Sequence, residues 1–116
     1  MVIHVDKAVI AGLKDIMGDE YAILLEAYLT DSDQRLRLAQ QAVAEHDSTA
    51  LREAVHSFKG SCGNVGALEL AHLCQALECA ADQQNQSVIE GLLAQIKTEM
   101  MTVKAVFVHE IHASKI

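Results

Sequence analysis

The chain has 116 residues, of which 51% are hydrophobic and 22% charged, a length and balance that predict one domain spanning 1–116. A net charge of −7 without a Lys/Arg cluster argues against a nucleic-acid partner, since nucleic acid requires a basic surface. No apolar run approaches the roughly 20 residues that cross a bilayer, and the N-terminus lacks the pattern of a signal peptide. We therefore expect a cytoplasmic protein with no membrane partner.

Helix-forming residues dominate the composition, and proline and tryptophan are absent, which predicts an all-α fold. The first predicted helix runs from about Asp6 to Met17, and Gly18 and Asp19 separate it from the second, with Asp19 as a possible N-cap. The second helix is long, from about Glu20 to Glu45. The apolar face of the first helix consists of Ile10, Leu13, Ile16 and Met17.

The third predicted helix begins at an N-cap, either Asp47 or Ser48, and reaches about Cys62. The segment 63–66, with glycine at both ends, supplies the break that follows. The fourth helix then runs from about Ala67 to Gln83.

A run of polar residues over 83–86 predicts a turn before the last helix, and Ser87 with Glu90 forms a possible capping box there. Short connections between amphipathic helices make antiparallel neighbours. We therefore predict an up-down-up-down four-helix bundle with the short N-terminal helix lying across one end. The last helix is expected to direct a regular apolar stripe to the core: Ile89, Leu92, Leu93, Ile96, Met100, Val103 and Phe107.

The third helix carries two features that are unusual for an ordinary bundle helix. Gly60 lies inside the helical pattern, where it costs up to about 1 kcal/mol relative to alanine, and His56 and Lys59 lie three residues apart beside it. At about 100° per residue, His56 points away from the core side of the helix, on a stripe with Lys59 and Gly63. The core side consists of Leu51, Ala54, Val55, Phe58 and Cys62.

This stripe suits phosphoryl chemistry. An exposed neutral imidazole such as that of His56 is a nucleophile near physiological pH. Lys59 can neutralise charge on phosphoryl oxygens, and the Ser61 hydroxyl can donate a further hydrogen bond. Gly60 and Gly63 remove side-chain bulk, so that the active site of a partner can approach the helix closely.

The stretch from His56 to Ala67 resembles the signature of the histidine phosphotransfer (HPt) domain family, His-x-x-Lys-Gly-Ser-x-x-x-x-Gly-Ala. Downstream, Leu77 and Glu78 resemble the fourth helix of the family, and the one departure is Cys62, where a small serine is commoner. The signature is matched at His56, Lys59, Gly60, Ser61, Gly66 and Ala67.

The resemblance implies that a receiver domain, in a response regulator or a hybrid sensor histidine kinase, donates phosphoryl from a phosphoaspartate to His56, through Nε2. A second receiver then accepts it. The resemblance also implies a phosphocarrier rather than an enzyme, with no ATP site and no cofactor of its own, because Mg²⁺ belongs to the receiver. In the family a Gln or Glu on the next helix orients the histidine ring. Glu78 occupies that position, with Gln75 as the second candidate and a solvated carboxylate as the alternative reading of Glu78.

Two other functions compete with this interpretation. Two Glu-x-x-His patterns, Glu53–His56 and Glu69–His72, are also found in di-iron bundles, and His109 with His112 adds a possible pair in a tail expected to fray. Helical phase turns His72 away from its core side, so we predict no metal site. The other alternative is a non-catalytic helical adaptor, in which the glycines of the third helix have no purpose.

Further surface residues are candidates for contact with a partner. The apolar residues Ile10, Leu13 and Met17 of the first helix are interface candidates, although capping the core explains them equally well. Arg35 on the second helix either borders the partner face or is simply solvated. We expect a monomer, and Met1 with a short tail predicts a stand-alone protein of bacterial type. The remaining histidines are expected at the surface: His4, His46, His72, His109 and His112.

Overall fold

The computed structural model describes residues 2–115, which form helices joined by short turns and contain no strand. Helices α2 to α5 pack as an antiparallel four-helix bundle, so the predicted fold class is confirmed. Within the same residues, no helix combines the length and hydropathy needed to span a bilayer. The helices are α1 (Lys7–Met17), α2 (Tyr21–Ala44), α3 (Ser48–Asn64), α4 (Leu68–Gln83) and α5 (Gln86–Ser114).

The core lies along the bundle axis and receives apolar side chains from all four long helices. Leu25, Phe58, Leu77 and Phe107 are almost completely buried. The ring of Tyr28 meets that of Phe107 edge to face, with 5.5 Å between centroids and 74° between planes, an arrangement that stabilises beyond its buried area. This packing fixes α3 and α4 against each other and so determines which of their residues share the outer face.

The N-terminal segment and α1 cover the end of the bundle at which α3 turns into α4. The backbone N–H of Asp6 donates to the carbonyl of Gly66 at 2.8 Å, and that of Glu69 donates to the carbonyl of Ile3 at 3.1 Å. Gly66 has φ +76°, and a Cβ built on it would lie 2.9 Å from Cβ of Val9. The turn therefore requires glycine twice, for its backbone conformation and for the close approach of α1.

The junction between α1 and α2 differs from the prediction in two respects. Gly18–Glu20 forms a 3-10 turn, and α2 begins at Tyr21 without a side-chain cap, so the proposed capping role of Asp19 is wrong. Ile16, assigned to the buried face of α1, is 84% exposed. Since α1 covers only the end of the bundle, the side it buries is too narrow to include Ile16.

The ends of the later helices also refine the prediction. Asp47 is the N-cap of α3, because its carboxylate accepts from the backbone of the first turn. α3 continues to Asn64, so Gly63 lies inside the helix. Asn85 rather than Ser87 caps α5, and no capping box forms. α5 stays helical to Ser114, so the expected fraying of the tail is wrong.

Candidate functional site

His56 lies on the outer face of α3, with 67% of its side chain exposed. Its Nδ1 is 2.8 Å from Oε2 of Glu78 on α4. An ionised carboxylate can only accept a hydrogen bond, so Nδ1 carries the proton and donates. In the neutral ring this leaves the lone pair on Nε2, on the opposite side of the imidazole from Glu78.

Glu78 accepts hydrogen bonds from two residues of the site at once. While Oε2 accepts from His56, Oε1 accepts from Nζ of Lys59 at 2.8 Å, and the carboxylate side chain is only 17% exposed. The hydrogen bond from Lys59, supported by that from His56, lowers the pKa of the Glu78 carboxyl below its ordinary value, against the opposing effect of burial. Glu78 is therefore ionised across the physiological range, as the tautomer of His56 requires.

Lys59 has a second partner on α4. Its Nζ donates to Oε1 of Gln75 at 2.7 Å, and its side chain is 28% exposed. Gln75, the second candidate to orient His56, thus contacts Lys59 instead. The reason is the register of the two antiparallel helices. Lys59 lies one turn after His56 on α3, and Gln75 lies one turn before Glu78 on α4, so each residue of α3 meets a different partner.

The two glycines of α3 leave the surface beside His56 open. Gly60 and Gly63 are exposed, and a Cβ on either would meet nothing within 4 Å. Gly60 lies one helical turn after His56 on the same face. Neither glycine has a positive φ, so neither is required by the backbone of α3.

The structure does not bring Ser61 to His56. Ser61 lies about 140° around the axis of α3 from His56, and its hydroxyl donates over 3.5 Å to the carbonyl of Ser57. It lines a shallow groove toward α2, beside Leu24 and Asp31. The predicted role of Ser61 beside His56 is therefore wrong, although helical phase alone already separates the two residues.

Arg35 of α2 borders the same face from the other side. Its guanidinium donates to the hydroxyl of Ser57, the neighbour of His56 in the chain, and to the carboxylate of Asp31 at 2.9 Å. Arg35 is half-buried, so these bonds hold it between α2 and α3. Its position is compatible with the proposed partner face.

The apolar candidates of α1 turn inward. Ile10 is buried, and Leu13 and Met17 are half-buried against the core, as the capping alternative expects. Apolar side chains that reach the surface near this end include Ile16, which was predicted to face the core, and Ile23, which was not among the candidates.

His4 is exposed, as expected, but it contacts a buried group that the sequence analysis missed. Its Nδ1 is 2.7 Å from Oε2 of Glu99, one of two polar residues buried within the described part of the chain. The pair fastens the N-terminal segment to α5. Glu99 occupies a core position of the α5 stripe between Ile96 and Met100. A carboxylate at an apolar position of this helical pattern is the sequence feature that could have predicted a buried ion pair.

The side chains required by the metal alternative do not assemble. Within residues 2–115, no three His, Cys, Asp or Glu residues form a group that could hold a metal ion. Glu53 and His72 are exposed on different helices, whereas a di-iron bundle directs its ligands inward.

Comparison with known proteins identifies the family. The model of the Hpt domain matches residues 23–106. The crystal structure of histidine-containing phosphotransfer protein B (HptB) from Pseudomonas aeruginosa PAO1 superimposes with a TM-score of 0.93 at 36% identity, covering 97% of this chain and 98% of that one. A search of curated proteins gives no match. The chain belongs to the Hpt domain family, the histidine phosphotransfer proteins of phosphorelays.

Proposed function

We propose that Nε2 of His56 is the phosphoryl acceptor and that the protein carries the group from one receiver domain to another. The observation that carries this proposal is the hydrogen bond from Nδ1 to Glu78 at 2.8 Å. It fixes the tautomer in which the exposed ring nitrogen holds the lone pair. A histidine with that tautomer and that exposure is a nucleophile without any preceding proton transfer.

The proposed step balances without a cofactor from this chain. The Nε2 lone pair attacks the phosphorus of an aspartyl phosphate in line, the N–P bond forms, and the bond from phosphorus to the aspartyl oxygen breaks. The carboxylate of the receiver leaves with the electron pair, and the proton on Nδ1 of His56 stays in place. The reverse sequence, with a second receiver, returns the histidine to its neutral form.

Electrostatics favour this transfer. The imidazole gains positive charge as the N–P bond forms, and the Glu78 carboxylate, already in contact with Nδ1, stabilises that charge without reorganising. Lys59, one turn from His56 on α3 and bonded to Glu78 in the unphosphorylated protein, is the positive charge available to turn toward the phosphoryl oxygens. Members of the family are phosphocarriers rather than kinases, and we propose the same for this chain, with no ATP site of its own.

The proposed contact surface for receivers surrounds His56 on α3. Gly60 and Gly63 present bare backbone to the partner, and Arg35 offers a positive charge at the α2 border, where it also approaches Asp31. The carboxylates of a receiver site, which include the phosphorylated aspartate and bind Mg²⁺, make that site acidic, so a positive charge at the border is complementary to it. That the protein is a monomer and that it lies in the cytoplasm both stay predictions.

The test is transfer of labelled phosphate from a receiver domain previously phosphorylated on its aspartate. Wild-type protein should acquire acid-labile label, and His56→Gln should acquire none. His72→Gln is the matched control, because His72 is an exposed histidine on the neighbouring helix, and it should label as wild type does. Equal labelling of His56→Gln and wild type would refute the proposal.

A further inference from the structure

We propose that Gln75 is a positioning residue that holds Lys59 away from the phosphoryl group and thereby lowers the stability of the phosphohistidine. This inference rests on the proposed function of His56. It concerns how much phosphate the protein retains, not whether it accepts phosphate.

The ammonium of Lys59 is held by two residues of α4. Nζ donates to Oε1 of Gln75 at 2.7 Å and to Oε1 of Glu78 at 2.8 Å. An ammonium has three N–H donors, so these bonds occupy two of them. The amide nitrogen of Gln75 faces Sγ of Cys79 at 3.6 Å, which directs its carbonyl oxygen toward Lys59.

These bonds hold Lys59 beside Glu78, the residue that contacts Nδ1 of His56, and not beside Nε2, where the phosphoryl group is proposed to bind. Glu78 contacts Nδ1 of His56, and Lys59 binds the other oxygen of the same carboxylate. The phosphoryl group is attached to Nε2, across the imidazole. Gln75 lies a further turn away along α4. Lys59 must therefore move away from Gln75 before its charge can contact the phosphoryl oxygens.

The two bonds of Lys59 differ in strength, which determines the one that gives way. Both bonds have the charged ammonium as donor, but only the bond to Glu78 also gains the attraction between opposite charges, whereas the bond to Gln75 ends on a neutral amide oxygen. A phosphoryl group with its negative charge competes well against the amide. We infer that Lys59 exchanges Gln75 for the phosphoryl oxygens when His56 is phosphorylated, and that the lost bond to Gln75 opposes phosphorylation.

The experiment compares wild type with Gln75→Ala in a mixture with a phosphorylated receiver domain at equilibrium. The variant should raise the ratio of phosphohistidine to phosphoaspartate by about threefold, the effect of losing one partly exposed hydrogen bond to a charge. Gln75 is exposed on its helix, so its removal leaves the core intact. Gln83→Ala, an exposed glutamine of the same helix, should leave the ratio unchanged.

The double variant separates positioning from a general effect. If Gln75 acts only through Lys59, Gln75→Ala should have no effect in a Lys59→Ala background. An unchanged ratio in the single variant, or an equal increase with and without Lys59, would overturn the inference while His56 still accepts phosphate. Failure of wild-type protein to label on His56 would instead overturn the proposed function and this inference with it.

Discussion

Replacing Gly60 with alanine should make the protein more stable and less active. Gly60 lies in the interior of α3 with helical φ, and an added Cβ would meet nothing within 4 Å. Alanine is favoured over glycine in a helix interior by about 1 kcal/mol. For a domain of this size, that gain raises the melting temperature by about 4 °C, which thermal unfolding followed by circular dichroism will detect.

The same methyl group should slow transfer, because it projects one turn from His56 into the surface that we assign to the receiver. A small displacement of the reacting groups has a large effect on rate, and we expect a decrease of about tenfold in rapid-quench transfer assays. Gly91→Ala is the control, since Gly91 is also an exposed helical glycine with open space around it, but on α5. It should gain similar stability and keep the wild-type rate.

Two results would contradict this reasoning. A Gly60→Ala variant that gains stability and transfers at the wild-type rate would show that the glycine is not needed for approach of the partner. A loss of stability would show that the helix-propensity argument does not apply to α3.

Three further substitutions test the fold and the electrostatics of the site. Gly66→Ala should destabilise by about 2 kcal/mol in urea unfolding, because it forces a positive φ on alanine and pushes against Val9; a wild-type midpoint would contradict this. Glu78→Gln should be less stable than wild type near neutral pH, and the difference should shrink as pH falls below about 4.5. Lys59 lowers the pKa of the Glu78 carboxyl, so the carboxylate stabilises the fold above that range and this stabilisation is lost when the carboxyl is protonated. A difference that grows in acid would refute the assignment. Asp47→Ala should cost about 1 kcal/mol through loss of the α3 cap, with Asp47→Asn restoring most of it.

Much of the fold follows from local rules that a sequence expresses directly. Apolar spacing predicted the four long helices, since each buries one continuous stripe. The wrong predictions concern a helix end and a surface residue, which depend on the geometry of a single turn or on packing between helices. Asn85 and Ser87 are both good N-caps, and only the geometry of the turn decides between them. Ile16 has the spacing of a core residue, but the area that α1 covers excludes it.

In the site, too, features that belong to one helix could be predicted, whereas features that depend on packing between helices could not. Helical phase was sufficient to place His56 on an open stripe with Lys59, because both residues belong to one helix. The register between α3 and α4 is a property of packing, and it assigns Glu78 to His56 and Gln75 to Lys59. The sequence could not show that Glu78 contacts both His56 and Lys59. Helical phase alone separates Ser61 from His56, but only packing shows that Ser61 faces α2.

The most direct test of the central claim is to locate the phosphoryl group by nuclear magnetic resonance in protein labelled with ¹⁵N at histidine. After phosphorylation by a receiver domain, His56 should show coupling between ³¹P and Nε2, while Nδ1 keeps its proton and its bond to Glu78. A phosphoryl group on Nδ1, or on any residue other than His56, would contradict the account.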